Sequence, residues 1–394
     1  RRMIAGLRFL AALRRFRRLP PVDRRIVFYS ESGQDWHHFE PVIRELTDRI
    51  GANLCYVTSD PQDPGLETTD ERIRSFCIGP GLPCILFFQF LKADVMVLTM
   101  VDLDNLHLKR SIHPVQYLFM FHSLISAHMA DFEDSYDHYD TILCAGPHHT
   151  REIRAREARA GLPAKQLIPH GYHRVEQLMA AAAERAARPP HDPAHVLLAP
   201  SWGEETILNR CGEPLCEALL EAGLRLTLRP HYHTRRLTPE VIDVLLRRYG
   251  GHPRFAYIDR MGEDESLFDS DVMITDWSGA GMDYALGLGK PVLYVDLPPK
   301  SRNDSWQSLG IEPFESYVRT RIGELLPEAE IASAPTAIRR LLAAPGEFAA
   351  GIAALRQEWI YNLGHSAAAA AAAIAELADR PPSGPATDGT ARRG

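Results

Sequence analysis

ITDWSGAGMDYALGLGKPVLYVD, residues 274–296, carries the pattern that decides the fold. A β-branched run ends at Asp276, and the small-residue turn Ser278-Gly279-Ala280-Gly281 follows it. A helix beginning close to Asp283 comes next (280–287), and Lys290-Pro291 turns the chain into a second apolar run ending at Asp296. Strand, helix and strand in that order make a crossover unit, which joins parallel strands. Both strands are near-continuous apolar runs, as expected when helices cover both faces of a sheet.

The same rhythm extends in both directions. Towards the N-terminus of this region, VLLAPS (196–201), LRLTLRPH (224–231), FAYID (255–259) and VMITD (272–276) read as strands. Helices are expected around 213–222, 240–249 and 280–287. An earlier series contains the strands RIVFYS (25–30), NLCYVTS (53–59), DVMVLTM (94–100), VQYLFMFH (115–122) and DTILCAG (140–146). Helical patterns over 36–49, 85–93 and 148–161 lie among them. Alternation at this spacing predicts two doubly wound α/β domains. Their separation is placed at the Pro-rich break RPPHDP (188–193), giving domains over 23–188 and 189–345. A helix is expected over 346–379, with helix-favouring alanines from Ala367 to Ala373 whose small side chains permit close packing. The tail 380–394 has the composition of a disordered segment.

The 394 residues are enough for two or three domains, and 45% apolar with 24% charged residues excludes a disordered chain. Net charge is −7, which gives no support to a nucleic-acid partner. Charge is nevertheless unevenly spread. Residues 1–25 hold nine arginines and one acid, Asp23, a local +8 that leaves −15 on the rest. Within 1–22, Met3, Leu7, Leu10, Leu13 and Phe16 recur at helical spacing, with Arg1, Arg8, Arg15 and Arg18 on another face. Pro20 and Pro21 stop that helix. A basic amphipathic arm fits an anionic membrane surface through residues 1–20; the alternative is a helix docked on the protein's own body. Six scattered cysteines without CxxC or zinc spacing read as reduced core thiols. No run approaches the length of a bilayer span, and no signal-peptide pattern is visible. These features predict a cytoplasmic chain.

Ligands of open α/β sheets bind beyond the carboxyl ends of the strands, and three polar groups fall there. His122-Ser123 ends one strand, with His128 six residues on. His122 suits a general base near neutral pH, or a satisfied structural histidine. Arg229-Pro230-His231-Tyr232-His233 suits a phosphate, or a solvated loop. Ser278–Gly281 suits a nucleotide pyrophosphate at a helix start, or a tight strand-to-helix connection. No carboxylate cluster has metal-ligand spacing, so no metal or cofactor is expected.

Taken in order, these segments resemble the CDP-glycerol glycerophosphotransferase family, the teichoic-acid primases and polymerases and related capsule enzymes. ITDWSGAGMDYAL is similar to the family's Thr-Asp-Tyr-Ser-Ser…Asp-Tyr-Ala motif, and FHSLISAH (121–128) to its Trp-His-Gly-Thr segment. HGYHRVEQL (170–178), VLLAPSWGEET (196–206) and LRPHYH (228–233) resemble its Gly-Tyr-Pro-Arg, Ala-Pro-Thr-Trp and His-Pro segments. The sequence departs at Ser123, His173, Tyr232 and Gly279. The resemblance covers about residues 113–365 and implies a GT-B architecture. That is two Rossmann-like domains with a cleft between them and a last helix crossing back to the first domain. It implies His122 as base, facing His231 across the cleft, and Arg229, His231, Ser278 and Gly279 on the donor diphosphate. Asp276, Asp283, Ser201 and Arg174 are further substrate-binding candidates. The implied reaction moves glycerol phosphate, or a related alditol phosphate, from CDP-glycerol or CDP-ribitol to a lipid-linked or polysaccharide acceptor, with release of CMP. Peripheral association with the inner face of the cell membrane would follow. A GT-B nucleotide-sugar glycosyltransferase and a non-catalytic envelope-assembly scaffold are the alternatives.

Overall fold

The computed structural model describes residues 2–186, 189–259, 264–344 and 346–380, and side chains from Gly6 onward. The expected tail falls outside this range from residue 381, as do the side chain of Met3 and all of Arg1. In chain order the elements are α1 (Arg2–Arg18), β1 (Ile26–Ser30), α2 (Trp36–Arg44), β2 (Leu54–Thr58), β3 (Ile73–Cys77), α3 (Leu82–Gln89), β4 (Val95–Leu98), β5 (Gln116–Met120), α4 (Ala127–Ala130), β6 (Thr141–Cys144), α5 (Pro147–Ala160), β7 (Gln166–Pro169) and α6 (His173–Glu184). They continue with β8 (His195–Leu198), α7 (Ile207–Arg210), α8 (Gly212–Glu221), β9 (Arg225–Leu228), α9 (Tyr232–Leu237), α10 (Pro239–Tyr249), β10 (Phe255–Tyr257), α11 (Glu265–Asp269), β11 (Val272–Thr275), α12 (Gly279–Leu288), β12 (Val292–Asp296), α13 (Phe314–Ile322), β13 (Gly323–Pro327), α14 (Ala334–Ala343), α15 (Gly346–Trp359) and α16 (Ser366–Asp379).

The chain forms two compact units. The first comprises residues 1–122, 131–173 and 361–394, and the second 123–130 and 174–360. In the first, seven strands pair in the order β3-β2-β1-β4-β5-β6-β7, and every ladder is parallel. In the second, six strands pair in the order β10-β9-β8-β11-β12-β13, again wholly parallel. Each order reverses direction once, at β1/β4 and at β8/β11, so each sheet has one switch point. β1, β2, β4, β6, β8 and β11 are buried along their whole length, which accounts for their unbroken apolar sequences. The two doubly wound, Rossmann-like domains expected from the sequence are present.

The alanine-rich C-terminus differs from the single helix expected over 346–379. Asn362 and Gly364 both adopt positive φ, at +44° and +88°, and divide it into α15 and α16. α15 belongs to the second unit and α16 to the first. Ala367, Ala370, Ala371 and Ala373 are buried in one core with Phe28, Phe39, Leu46 and Val97. The small side chains let α16 lie close to α2, β1 and β4. The chain returns to the first unit through a tight passage. Gly171 has φ +109°, and a Cβ there would fall 2.1 Å from the Tyr361 carbonyl. The change from first to second unit falls at His173/Arg174, ahead of the Pro-rich break at 188–193.

The arm is helical as expected, and its apolar side packs on the first unit. Phe16 is 1% exposed, edge-on to Phe76 and Phe87 at 5.6 and 5.1 Å, with Ala12 and Leu13 also buried. Phe9 covers Gly79, where any side chain would collide with the ring. The docked alternative therefore describes the second half of the stripe, Leu13 and Phe16. Leu7 and five arginines (8, 14, 15, 17 and 18) remain at the surface. All six cysteines are free, as expected. Among the described residues, no helix is long and apolar enough to cross a membrane.

Candidate functional site

Each sheet gathers polar groups at the carboxyl side of its switch point. In the first unit, the turn after β1 ends in Asp35, immediately before α2. Its Oδ2 accepts from the Glu31 amide at 3.0 Å and the Ser32 amide at 3.4 Å, and Thr99, just beyond β4, also bonds this carboxyl. His122 follows β5 by two residues, its ring 4.8 Å from that of His38 on α2. Its Nδ1 is buried with no hydrogen-bond partner among the described residues. Burial holds the His122 pKa below the ordinary imidazole value, and the Asp35 charge opposes that shift. Asp35 in turn is raised by burial and lowered by His122. The imidazole is therefore neutral at pH 7 beside a carboxylate able to stabilise its protonated form. Asp35 escaped the sequence reading. Its one signal is its place in the turn directly after the first strand of a doubly wound sheet.

His128 does not share this site. It lies on α4 with the second unit, is 6% exposed, and its Nε2 sits 3.1 Å from the Ile311 carbonyl. The stretch 123–130 is anchored there by Ser126, whose amide donates to Glu315 at 2.9 Å and whose hydroxyl accepts from the Phe314 amide at 2.6 Å.

In the second unit, the turn after β8 bears Ser201 and Trp202, the turn after β9 Arg229 and His231, and the turn after β11 Asp276 to Gly279. Asp276 is wholly buried, its two oxygens accepting from the Ser201 amide at 2.8 Å and the Ile207 amide at 3.0 Å. It thereby fixes the Ser201–Trp202 turn against β11. Ser278 caps α12, which starts at Gly279, close to the start expected for the 280–287 helix; the Ser278 hydroxyl accepts from the Ala280 amide. A Cβ at Gly279 would lie 3.1 Å from Ile125, and at Gly281 only 2.6 Å from the Tyr294 hydroxyl. These glycines permit the close approach that places the helix start. Asp283 is half-buried one turn along α12.

His231 caps α9, its Nδ1 accepting from the His233 amide at 3.1 Å. The ring proton therefore belongs to Nε2. Burial, with the positive groups His233, Lys300 and Arg235 nearby, lowers the His231 pKa to about 4. Lys300 places its ammonium 3.9 Å over the Trp202 ring, and burial lowers its pKa to about 8. Trp202 is 4.6 Å from His233 and 6.1 Å from His231, ring to ring. Lys300 and Trp202 complete a cluster of which sequence reasoning named Ser201, Arg229, His231, Asp276, Ser278 and Gly279. Lys300 comes from the loop after β12, where no spacing links it to the other members. Arg174 stands apart, forming a two-pronged ion pair with Asp264 at 2.5 and 2.7 Å.

No protein-family model matches the chain, and no curated protein does. Solved structures do. A Listeria monocytogenes protein described as a UDP-N-acetylglucosamine 2-epimerase aligns over 90% of this chain and 96% of its own, with TM-score 0.58 and 13% identity. The Methanocaldococcus jannaschii UDP-GlcNAc 2-epimerase, in complex with UDP-GlcNAc and UDP, aligns over 89% and 98%, with TM-score 0.55 and 13% identity. The glycotransferase of kitacinnamycin aligns over 90% and 99%, with TM-score 0.52 and 13% identity. Likeness at this identity concerns architecture: the chain has the GT-B fold, two Rossmann-like α/β domains in one polypeptide.

Proposed function

We propose that this chain is a GT-B transferase that takes its activated group from a nucleoside-diphosphate donor. The observation that carries this reading is the second-unit cluster. Arg229 and neutral His231 follow β9, the Ser278-capped start of α12 follows β11 and Lys300 follows β12, all at the carboxyl side of a parallel sheet beside its switch point, where such sheets hold phosphates. Arg229 and Lys300 would offset diphosphate charge. His231 would donate from Nε2, and Ser278 from its hydroxyl, while Gly279 lets the helix amides approach the phosphates. Asp276 would act through the Ser201 turn that it holds, and Asp283 would accept from a donor hydroxyl. In the first unit, His122 would take the proton of the acceptor hydroxyl as its oxygen attacks, and Asp35 would stabilise the resulting imidazolium. Arg174 would serve by bracing α6 against Asp264.

Two donor classes fit, and their products differ. With a nucleotide sugar, the bond between the anomeric carbon and the diphosphate breaks and a nucleoside diphosphate leaves. With CDP-glycerol or CDP-ribitol, the bond between the two phosphates breaks and CMP leaves. The nucleotide-sugar reading comes first, supported by the epimerase and glycotransferase neighbours; the motif order 121–296 supports the second. Incubation with UDP-GlcNAc, CDP-glycerol and CDP-ribitol, followed by identification of the released nucleotide, separates them. If none is consumed, and neither UDP nor CMP raises the thermal midpoint, the scaffold reading replaces both.

A lipid-linked or polysaccharide acceptor would bring the protein to an anionic cytoplasmic membrane surface. The exposed arginines of α1 would hold it there by charge, with Leu7 beside them, because Leu13 and Phe16 are already covered. Charge reversal at Arg14 and Arg18 should release the protein from anionic vesicles at low salt; unchanged sedimentation would exclude this contact.

A further inference from the structure

At the opposite, amino end of the second sheet, a different set of side chains converges. His195 opens β8, Asp269 ends α11, and His191 lies in the loop before β8. The Asp269 carboxylate sits between the rings, 3.0 Å from His195 Nδ1 and 3.4 Å from His191 Nε2. All three ligand atoms lie within 4.8 Å of one another. Ligands held about 2.0–2.1 Å from a tetrahedral zinc ion stand roughly 3.3 Å apart, and the two contacts to Asp269, one to each of its oxygens, are of that size.

The other nitrogen of each ring is already engaged. His191 Nδ1 lies 3.1 Å from Asp271, and His195 Nε2 2.7 Å from the Thr227 hydroxyl. A carboxylate only accepts, so His191 carries its proton on Nδ1, and in the neutral ring Nε2 turns a lone pair towards Asp269. His195 Nδ1 also lies 3.2 Å from the Asp269 carbonyl, so in the metal-free protein it carries the ring proton; on metal binding that proton moves to Nε2, where the Thr227 hydroxyl can accept it. Outer carboxylate and hydroxyl partners that fix tautomer and ring direction are the usual companions of metal-bound histidine. Asp271 is itself held rigid, accepting from the His195 amide at 2.7 Å and the His191 amide at 3.1 Å. The Asp269 side chain is 43% exposed, which leaves a route for an ion and room for a water in the fourth position. Among the described residues, Arg225 lies 4.0 Å from Asp269, with its own side chain partly exposed.

We propose that His191, His195 and Asp269 form a binding site for a divalent cation of the zinc class, with Asp271 and Thr227 positioning the two imidazoles. The site ties the segment before β8 to the end of α11. It lies at the far end of β8 from Ser201 and Trp202, so its role is structural and separate from the transfer proposed above.

The test is titration of the untagged, chelator-stripped full chain with Zn2+ alone. One equivalent should bind the wild type, and His191→Ala and Asp269→Asn should each weaken it at least tenfold. Both residues are partly exposed and Asp269→Asn is isosteric, so circular dichroism should show folded variants. Co2+ in place of Zn2+ should give the intense visible absorption of a four-coordinate ion. No uptake by the wild type, equal uptake by folded Asp269→Asn protein, or only the weak spectrum of six-coordinate Co2+ would overturn the proposal.

Discussion

His122 and His231 are both neutral at pH 7, for different reasons and with different consequences. If His122 is the base, His122→Ala should lower kcat by about 100-fold or more with donor affinity close to wild type. The acid limb of kcat/KM should lie below the ordinary imidazole range, because burial depresses this group, and should vanish only in variants at position 122. Retention of near-full turnover by His122→Ala would sink the assignment. His231 makes a stability statement as well. Its pKa is about 4 in the fold against an ordinary 6.5, so between those values the unfolded chain binds more protons. Stability from this group is complete above pH 6.5 and declines as pH falls towards 4. Urea midpoints measured across that window should drop less in His231→Asn, and an equal drop would place the acid sensitivity elsewhere. If Lys300 faces the donor diphosphate, its pKa of about 8 should add a basic limb to donor binding. Affinity for UDP or CDP should fall as pH rises past 8 and lose that dependence in Lys300→Gln; an unchanged profile in the variant would remove Lys300 from the site.

At the level of elements, two packings make quantitative expectations. Phe16→Ala removes a buried ring lodged between β3 and α3 and should destabilise the first unit by about 3–5 kcal/mol, read from its urea midpoint. A shift near zero would mean that α1 undocks in solution. Gly281→Ala should cost about 1–3 kcal/mol by overpacking against the Tyr294 hydroxyl, and Tyr294→Phe should recover part of the loss. Most of the architecture was legible in sequence because central parallel strands are buried on both faces and stand out as apolar runs. The strands left unread are β3, β7 and β13, and each is a sheet edge. β3 alternates Arg74 and Ser75 with partly exposed neighbours, so its sequence carries no continuous apolar signal. The polar turns holding His122, His231 and Ser278 were legible from their place at strand ends. Asp35 and Lys300 were not, since loop geometry brings them in without any sequence period, and Trp202 showed only as part of the VLLAPSWGEET segment. The alanine run announced a helix but not its division, which depends on two left-handed residues, Asn362 and Gly364. Helical spacing likewise revealed the arm's stripe and left open what covers it.

For the whole molecule, the division of the chain matters more than either sheet alone. The first unit is assembled from three stretches, and α16 supplies one wall of its core. A fragment of residues 1–173 should therefore fail to give a soluble, cooperatively unfolding domain, and supplying residues 361–380 as a peptide should rescue it. A stable fragment without the peptide would show α16 to be dispensable. The same arrangement constrains how the protein is made. Between the last strand of the first sheet and α16, the ribosome must add roughly 200 residues, about 10–40 s of synthesis at ordinary elongation rates. Throughout that interval the apolar face awaiting α16 has no partner, whereas the second sheet is complete some 30 residues before synthesis reaches residue 360. The order of synthesis therefore runs against the order of completion. The domain that emerges first is finished last, and a nascent chain stalled late in translation would present chaperones with a bare helix-sized groove on Phe28, Phe39 and Leu46.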